Sequence, residues 1–173
     1  MITFRFAKCA VAVGAIGLAA VLPSNAQAVD ATATATATVA TAIGIAKTVD
    51  LSFGTIGATA IAGTVVLGTD GSRSCTNVDC LSGSPGAAAS FDVTGQASQT
   101  YSITLPSAAV PLTGPGPSMD ATAFVSLPTP TGTLDGFGAE TLLVGATLAV
   151  GTAALQTAGV YTSAAFTVTV NYN

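Results

Sequence analysis

The last segment of the sequence alternates strictly between two kinds of side chain. Every second residue from 160 to 172 belongs to a set that is apolar in six of its seven members, and the residues between them are mainly polar or small. Because successive side chains of a β-strand point to opposite faces, this period of two predicts a long strand with one buried face. The predicted inward set is Val160, Thr162, Ala164, Phe166, Val168, Val170 and Tyr172.

The same alternation recurs along most of the chain. Residues 139–155 contain good helix formers, but the glycines and threonines among them fit a strand better than a helix. Residues 69–72, with an Asp-Gly pair, predict a turn. We therefore expect an all-β protein, an antiparallel Ig-like β-sandwich over residues 42–173. Its other predicted strands are 43–53, 61–67, 90–94, 99–105, 119–127 and 142–150, with loops at 106–117 and 128–138.

Two of these strands carry specific predictions about which side chains face the core. Phe91 and Val93 are expected to point inward, with Asp92 and Thr94 outward. In residues 119–127, the alternation predicts one shared face for Ala121, Ala123 and Val125.

The first 28 residues have the features of a secretory signal peptide. Arg5 and Lys8 give a positive start, residues 10–22 are continuously apolar, and Ala26-Gln27-Ala28 is a small-x-small cleavage site. The apolar run is shorter than the roughly 20 residues of a membrane-spanning helix. We expect an exported protein with no membrane insertion of the mature chain.

Two cysteines follow the predicted signal. Cys75 and Cys80 are close in sequence, and an oxidising compartment favours a disulfide between them. A zinc site is the alternative, but two thiolates without any histidine cannot complete one. We predict a Cys75–Cys80 disulfide and no bound metal.

The composition excludes several classes of function. Charged residues make up 7% of the chain, with 4 Lys+Arg against 8 Asp+Glu, and histidine is absent. Nucleic-acid binding needs clustered basic residues, and a Ser-His-Asp triad needs histidine. The acids Asp120, Asp135 and Glu140 could form a glycosidase pair only if the fold gathered them, and Asp70 with Asp79 could hold Ca²⁺; turn and surface positions explain both sets more simply. We expect no enzyme activity, no catalytic residues and no cofactor.

Residues 29–41 form an arm of alternating alanine and threonine. Such a segment can add itself as a strand to the exposed sheet edge of another protein. The side chains predicted to enter the acceptor are Val29, Ala31, Ala33, Ala35, Ala37 and Val39. The alternative is a threonine-rich leader that donates no strand.

Several short motifs resemble a bacterial family catalogued only as domain of unknown function 4402. They are Asp50-Leu51-Ser52-Phe53-Gly54, Phe91-Asp92-Val93-Thr94-Gly95, Tyr101-Ser102-Ile103-Thr104-Leu105-Pro106, Val144-Gly145-Ala146-Thr147-Leu148 and the ending from Gly159-Val160-Tyr161 to Val170-Asn171-Tyr172. The Phe-Gly pair and the Gly-x-Tyr that opens the last strand also resemble pilins of the archaic chaperone–usher type, including spore-coat-U-like domains.

The pilin resemblance implies an incomplete Ig-like fold, a periplasmic chaperone and an outer-membrane usher as partners, and copies of the chain itself as neighbours in a fibre. It also implies that the chain is in the periplasm in transit and then in an extracellular fibre at the cell surface. The expected function is therefore a structural fibre subunit that polymerises by donor-strand complementation. The alternative is a monomeric secreted or periplasmic binding module that uses loops 69–88 and 106–117, since long loops on a rigid sandwich often carry recognition.

Overall fold

The structure is a computed structural model that describes residues 29–173, and all of its regular secondary structure is β. The predicted signal peptide, residues 1–28, lies outside the described residues. These described residues form thirteen strands in chain order: β1 Gly44–Val49, β2 Ile56–Ala58, β3 Gly63–Leu67, β4 Arg73–Thr76, β5 Val78–Cys80, β6 Ala89–Thr94, β7 Thr100–Thr104, β8 Val110–Thr113, β9 Met119–Leu127, β10 Thr131–Thr133, β11 Ala139–Val150, β12 Thr162–Ser163 and β13 Thr169–Tyr172.

One large sheet forms the first layer. Its strands follow the order β1-β6-β11-β9-β8-β12, and β3 also pairs with β11 and carries β4 on its other side. Every pairing is antiparallel, as predicted. The long strand β11 is the centre of this sheet because it pairs with three neighbours.

Two small sheets form the second layer. One has the order β10-β7-β13, and the other is the pair β2-β5. The first covers a core cluster in which Phe91 and Leu142 of the large sheet pack with Tyr101 and Val170. The second covers a cluster built on Val65 and Leu148. This two-layer antiparallel arrangement agrees with the predicted sandwich.

The inward faces of β6 and β11 are those that the alternation predicts. Phe91 and Val93 are buried, and Asp92 and Thr94 are exposed. In β11 the buried set is Leu142, Val144, Ala146, Leu148 and Val150, with Gly145 also buried. The helix that residues 139–155 could have formed is absent from this segment, because β-sheet pairing on both sides of β11 satisfies its backbone.

The inward face of β9 differs from the prediction. Met119 and Ala121 are buried, but Ala123 and Val125 are exposed, while Phe124 and Ser126 turn inward. The reason is a β-bulge: the pairing with β11 shifts by one residue, and Ala123 has a φ of 47°. One extra residue in a strand reverses every side chain that follows it.

The predicted C-terminal strand is divided in two. Residues 162–163 pair with β8 in the large sheet, and residues 169–172 pair with β7 in a small sheet. The predicted face holds from Phe166 onward, where Val168 and Val170 are buried, but Val160 is exposed and Tyr161 packs toward the core. The prediction of a single continuous strand was wrong because the chain crosses from one layer to the other between residues 163 and 169.

The predicted loops contain short strands. Residues 69–88 include β4 and β5, residues 106–117 include β8, and residues 128–138 include β10. Pro111 lies within β8, where proline is tolerated at positions that donate no ladder hydrogen bond. The turn at 69–72 is confirmed by a hydrogen bond from Gly68 N to Ser72 O.

The arm has no regular secondary structure. Each described residue from Val29 to Ala42 is exposed, and none belongs to a strand. Thr38–Asn173 form one compact unit, and the residues up to Ala37 belong to another.

Candidate functional site

An open apolar groove lies over part of the core in Thr38–Asn173, and we call it the groove. Its volume is about 980 Å³. The floor is the inner face of the large sheet, and the two sides are residues 47–58, called here the N-wall, and residues 156–166, called the C-wall. Apolar lining residues from floor and walls include Val49, Leu51, Ile56, Phe91, Leu112, Met119, Phe124, Leu148, Val160 and Phe166.

A left-handed turn and an arginine hold the N-wall. Gly54 has a φ of 68°, and a side chain there would collide with the carbonyl oxygen of Ser84. The guanidinium of Arg73 donates to the carbonyl oxygens of Phe53 (2.8 Å), Thr55 (3.2 Å) and Leu81 (2.8 Å). The Phe53-Gly54 pair is therefore a structural corner that places the N-wall against β4 and β5.

The Gly-x-Tyr motif holds the C-wall. The ring of Tyr161 packs so closely on Gly114 that a side chain at residue 114 would meet ring atoms at 2.6 Å. The Tyr161 hydroxyl donates to Thr157 O at 2.9 Å. The proline-rich region around β8 thus supports the C-wall instead of forming a free loop.

Two short strands that line the groove each have a ladder partner on one side only. Among residues 29–173, β2 pairs only with β5 and β12 only with β8. Residues 164–168 belong to no strand. Backbone N–H and C=O groups at such edges can pair with an added strand.

Two aromatic residues line the groove and pack against the core cluster that Tyr172 also contacts. The rings of Phe124 and Phe166 lie 5.2 Å apart. β1 and β13 approach each other, and the Tyr172 hydroxyl accepts from Gln96 N (2.6 Å) and donates to Thr41 O (2.7 Å). This clasp joins the segment before β1 to the end of β13.

Two polar groups of the groove lie toward opposite ends of the central strand β11. Lys47 pairs with Phe91, which pairs with Leu142 near the start of β11, and the Lys47 ammonium forms an exposed ion pair with Asp50. The side chain of Gln156 lies against Gly151, just past the end of β11. The buried Oε1 of Gln156 has no hydrogen-bond partner among the described residues.

The predicted disulfide is present outside the groove. Cys75 and Cys80 are bonded, with their Cα atoms 6.3 Å apart. The bridge joins β4 to β5 across a turn at Asn77, whose φ is 53°. It thereby pins the β4–β5 segment that supports the N-wall.

The acids considered for chemistry occupy turns and strand surfaces. Asp135 Oδ1 accepts from the N–H groups of Phe137 and Ala139, and these hydrogen bonds lower the pKa of Asp135. Glu140 accepts from Thr133 N at 2.9 Å, and Asp120 is exposed in β9. Within the described chain no group of three or more potential metal ligands forms.

The pair proposed for Ca²⁺ is likewise explained by local structure. Hydrogen bonds from the Ser72 hydroxyl and N–H lower the pKa of Asp70, which caps the turn. Asp79 is exposed on β5, opposite Gly57 of β2.

Sequence reasoning identified the arm but not the groove. The six predicted donor residues, 29 to 39, are all exposed. The groove residues come from segments more than 100 positions apart, so no local pattern groups them. The exposure of Val160 (79%) within an apolar alternation is visible only in the folded chain.

The comparisons with known proteins give one result. Residues 43–172 match the sequence model of a family described as Domain of unknown function (DUF4402). No curated protein and no solved structure matches the chain. In the part of the chain that the structure describes, no helix is long and apolar enough to cross a membrane.

Proposed function

The chain belongs to the family described as Domain of unknown function (DUF4402), and we propose that it is an exported structural subunit of a surface fibre. In this proposal each copy inserts its arm, residues 29–41, into the groove of the next copy. The added strand pairs with the free edges along the walls and covers the exposed core. The partners are copies of the chain, assisted by a periplasmic chaperone and an outer-membrane usher.

The observation that carries the proposal is the groove together with the exposed arm. The groove leaves the apolar residues Leu112 and Phe124 only partly buried, and the strands β2 and β12 that line it each have a partner on one side only. The arm is a free segment of strand-forming period, with small apolar residues at every second position. The unpaired backbone N–H and C=O groups of a strand edge can form ladder hydrogen bonds with those of the arm.

Main-chain hydrogen bonds supply much of the pairing energy in this proposal. The four alanines at 31 to 37 contribute only roughly 3 kcal/mol together, at about 0.8 kcal/mol for each methyl-sized group. Each net backbone hydrogen bond adds about 1 kcal/mol. Val29 and Val39 are the larger anchors at the two ends of the alternation.

Two double variants with equal added charge test the proposal. Ala33→Asp with Ala35→Asp places carboxylates on the side chains that enter the groove, whereas Thr34→Asp with Thr36→Asp places them on the outer face. We expect the first variant to abolish fibres and the second to retain them, because burying an unpaired carboxylate in an apolar site is costly. Fibres are measured by size-exclusion chromatography of material recovered from cell surfaces.

A deletion of residues 29–40 is the second experiment in this test. The expected product is a soluble, chaperone-dependent monomer. Fibres that persist after this deletion would reject the proposal. A stable exported monomer with no fibres in the unmodified protein would favour a binding module instead.

A further inference from the structure

We infer that the groove accepts the arm in a single orientation, with Asp30 at the Lys47 end and residue 39 toward Gln156. This inference rests on the proposed function. An electrostatic observation carries it.

The electrostatic observation concerns the few cations of the chain. Outside the predicted signal, Lys47 and Arg73 are the only basic side chains. Arg73 is occupied by three carbonyl oxygens, whereas the ammonium of Lys47 lies at the groove, and 54% of its side chain is exposed. The carboxylate of Asp50 accepts from one of the three N–H donors of the Lys47 ammonium, so the ammonium can also bind a second carboxylate.

The arm carries one charged residue, and that residue is near its beginning. Asp30 is followed by eight residues of alternating alanine and threonine and then by Val39. An arm that enters with Asp30 beside Lys47 places its only charge next to the one ammonium among the described groove residues. The reversed arm would place Asp30 at the end lined by Ala58, Val150 and Ala153, where no cation lies among the described groove residues.

Cysteine cross-linking between copies tests the orientation while both charges stay in place. One full-length variant carries Val49→Cys beside Lys47 on the N-wall, and a second, produced in the same cells, carries Ala31→Cys on the arm. A disulfide requires Cα atoms within about 7 Å. We expect a covalent dimer on non-reducing gels, and no such dimer when Val39→Cys replaces Ala31→Cys.

The outcomes separate the orientation from the proposed function. A dimer from Val39→Cys but not from Ala31→Cys overturns the orientation and leaves the fibre proposal standing. No dimer from either arm cysteine overturns both. A covalent dimer that forms when the Ala31→Cys variant is produced alone identifies contact between two arms and also overturns the inference.

A charge exchange tests the cause of the orientation. Asp30→Lys should lower the yield of the Ala31–Val49 cross-link several-fold, because it sets like charges together. Adding Lys47→Asp should restore the yield. A yield that does not respond to either change would contradict the role of the Asp30–Lys47 pair.

Discussion

At the scale of single residues, Tyr101 and Tyr172 contribute to the same core cluster but differ in their hydrogen bonding. Tyr172 uses its hydroxyl twice, with Gln96 and Thr41, and so joins the start of β1 to the end of β13. Tyr101 is fully buried, yet its hydroxyl has no hydrogen-bond partner among the described residues. Burial, with Glu140 nearby as a second cause, raises the pKa of the Tyr101 phenol, so this hydroxyl stays protonated.

Matched Tyr→Phe substitutions measure this difference. Tyr172→Phe removes two hydrogen bonds and leaves a donor and an acceptor to find new partners, so we expect a loss of about 2 kcal/mol in the free energy of unfolding. Tyr101→Phe removes a hydroxyl that has no hydrogen-bond partner among the described residues but lies beside the Glu140 carboxylate, so we expect a smaller loss. Urea denaturation of both variants checks the prediction, and equal losses would contradict this account of the clasp.

At the scale of elements, local alternation predicted the strands whose backbone is regular and failed where the backbone changes. The faces of β6 and β11 follow directly from their sequences, since each has an unbroken period of two. In β9, Ala123 begins a bulge, and nothing in the run from Met119 to Leu127 marks it. Likewise, the C-terminal segment changes layers while its alternation continues, because the partner strand and not the local pattern decides the sheet.

The bulge at Ala123 gives a prediction at this scale. Its φ of 47° is a left-handed conformation that a β-branched side chain resists. Ala123→Val should therefore lower the free energy of unfolding by about 1 kcal/mol or more. The matched control is Ala149→Val at an exposed position of β11, where valine suits a strand. Equal stability of the two variants, measured by thermal unfolding, would argue against a strained bulge.

At the scale of the whole molecule, the groove results from how the second layer is divided. The small sheet β10-β7-β13 covers one core cluster, the pair β2-β5 covers part of the other, and the space between the N-wall and the C-wall stays open. The sequence indicated a free strand in the arm and a sandwich with motifs at Phe53-Gly54 and Gly159-Val160-Tyr161. It could not indicate the groove, because the walls are brought together only by long-range packing through Arg73 and Tyr161.

The central claim is that the groove binds the arm of a second copy, and a peptide titration tests it most directly. The measurement is the thermal unfolding midpoint of the subunit that lacks residues 29–40, with increasing amounts of a peptide of residues 29–41. A ligand of the folded state at a hundred times its Kd stabilises by about 2.7 kcal/mol, so the account predicts a midpoint that rises with peptide concentration. It predicts no rise with the same peptide carrying Ala33→Asp and Ala35→Asp. A midpoint that stays constant at saturating concentrations of the unmodified peptide would contradict the claim.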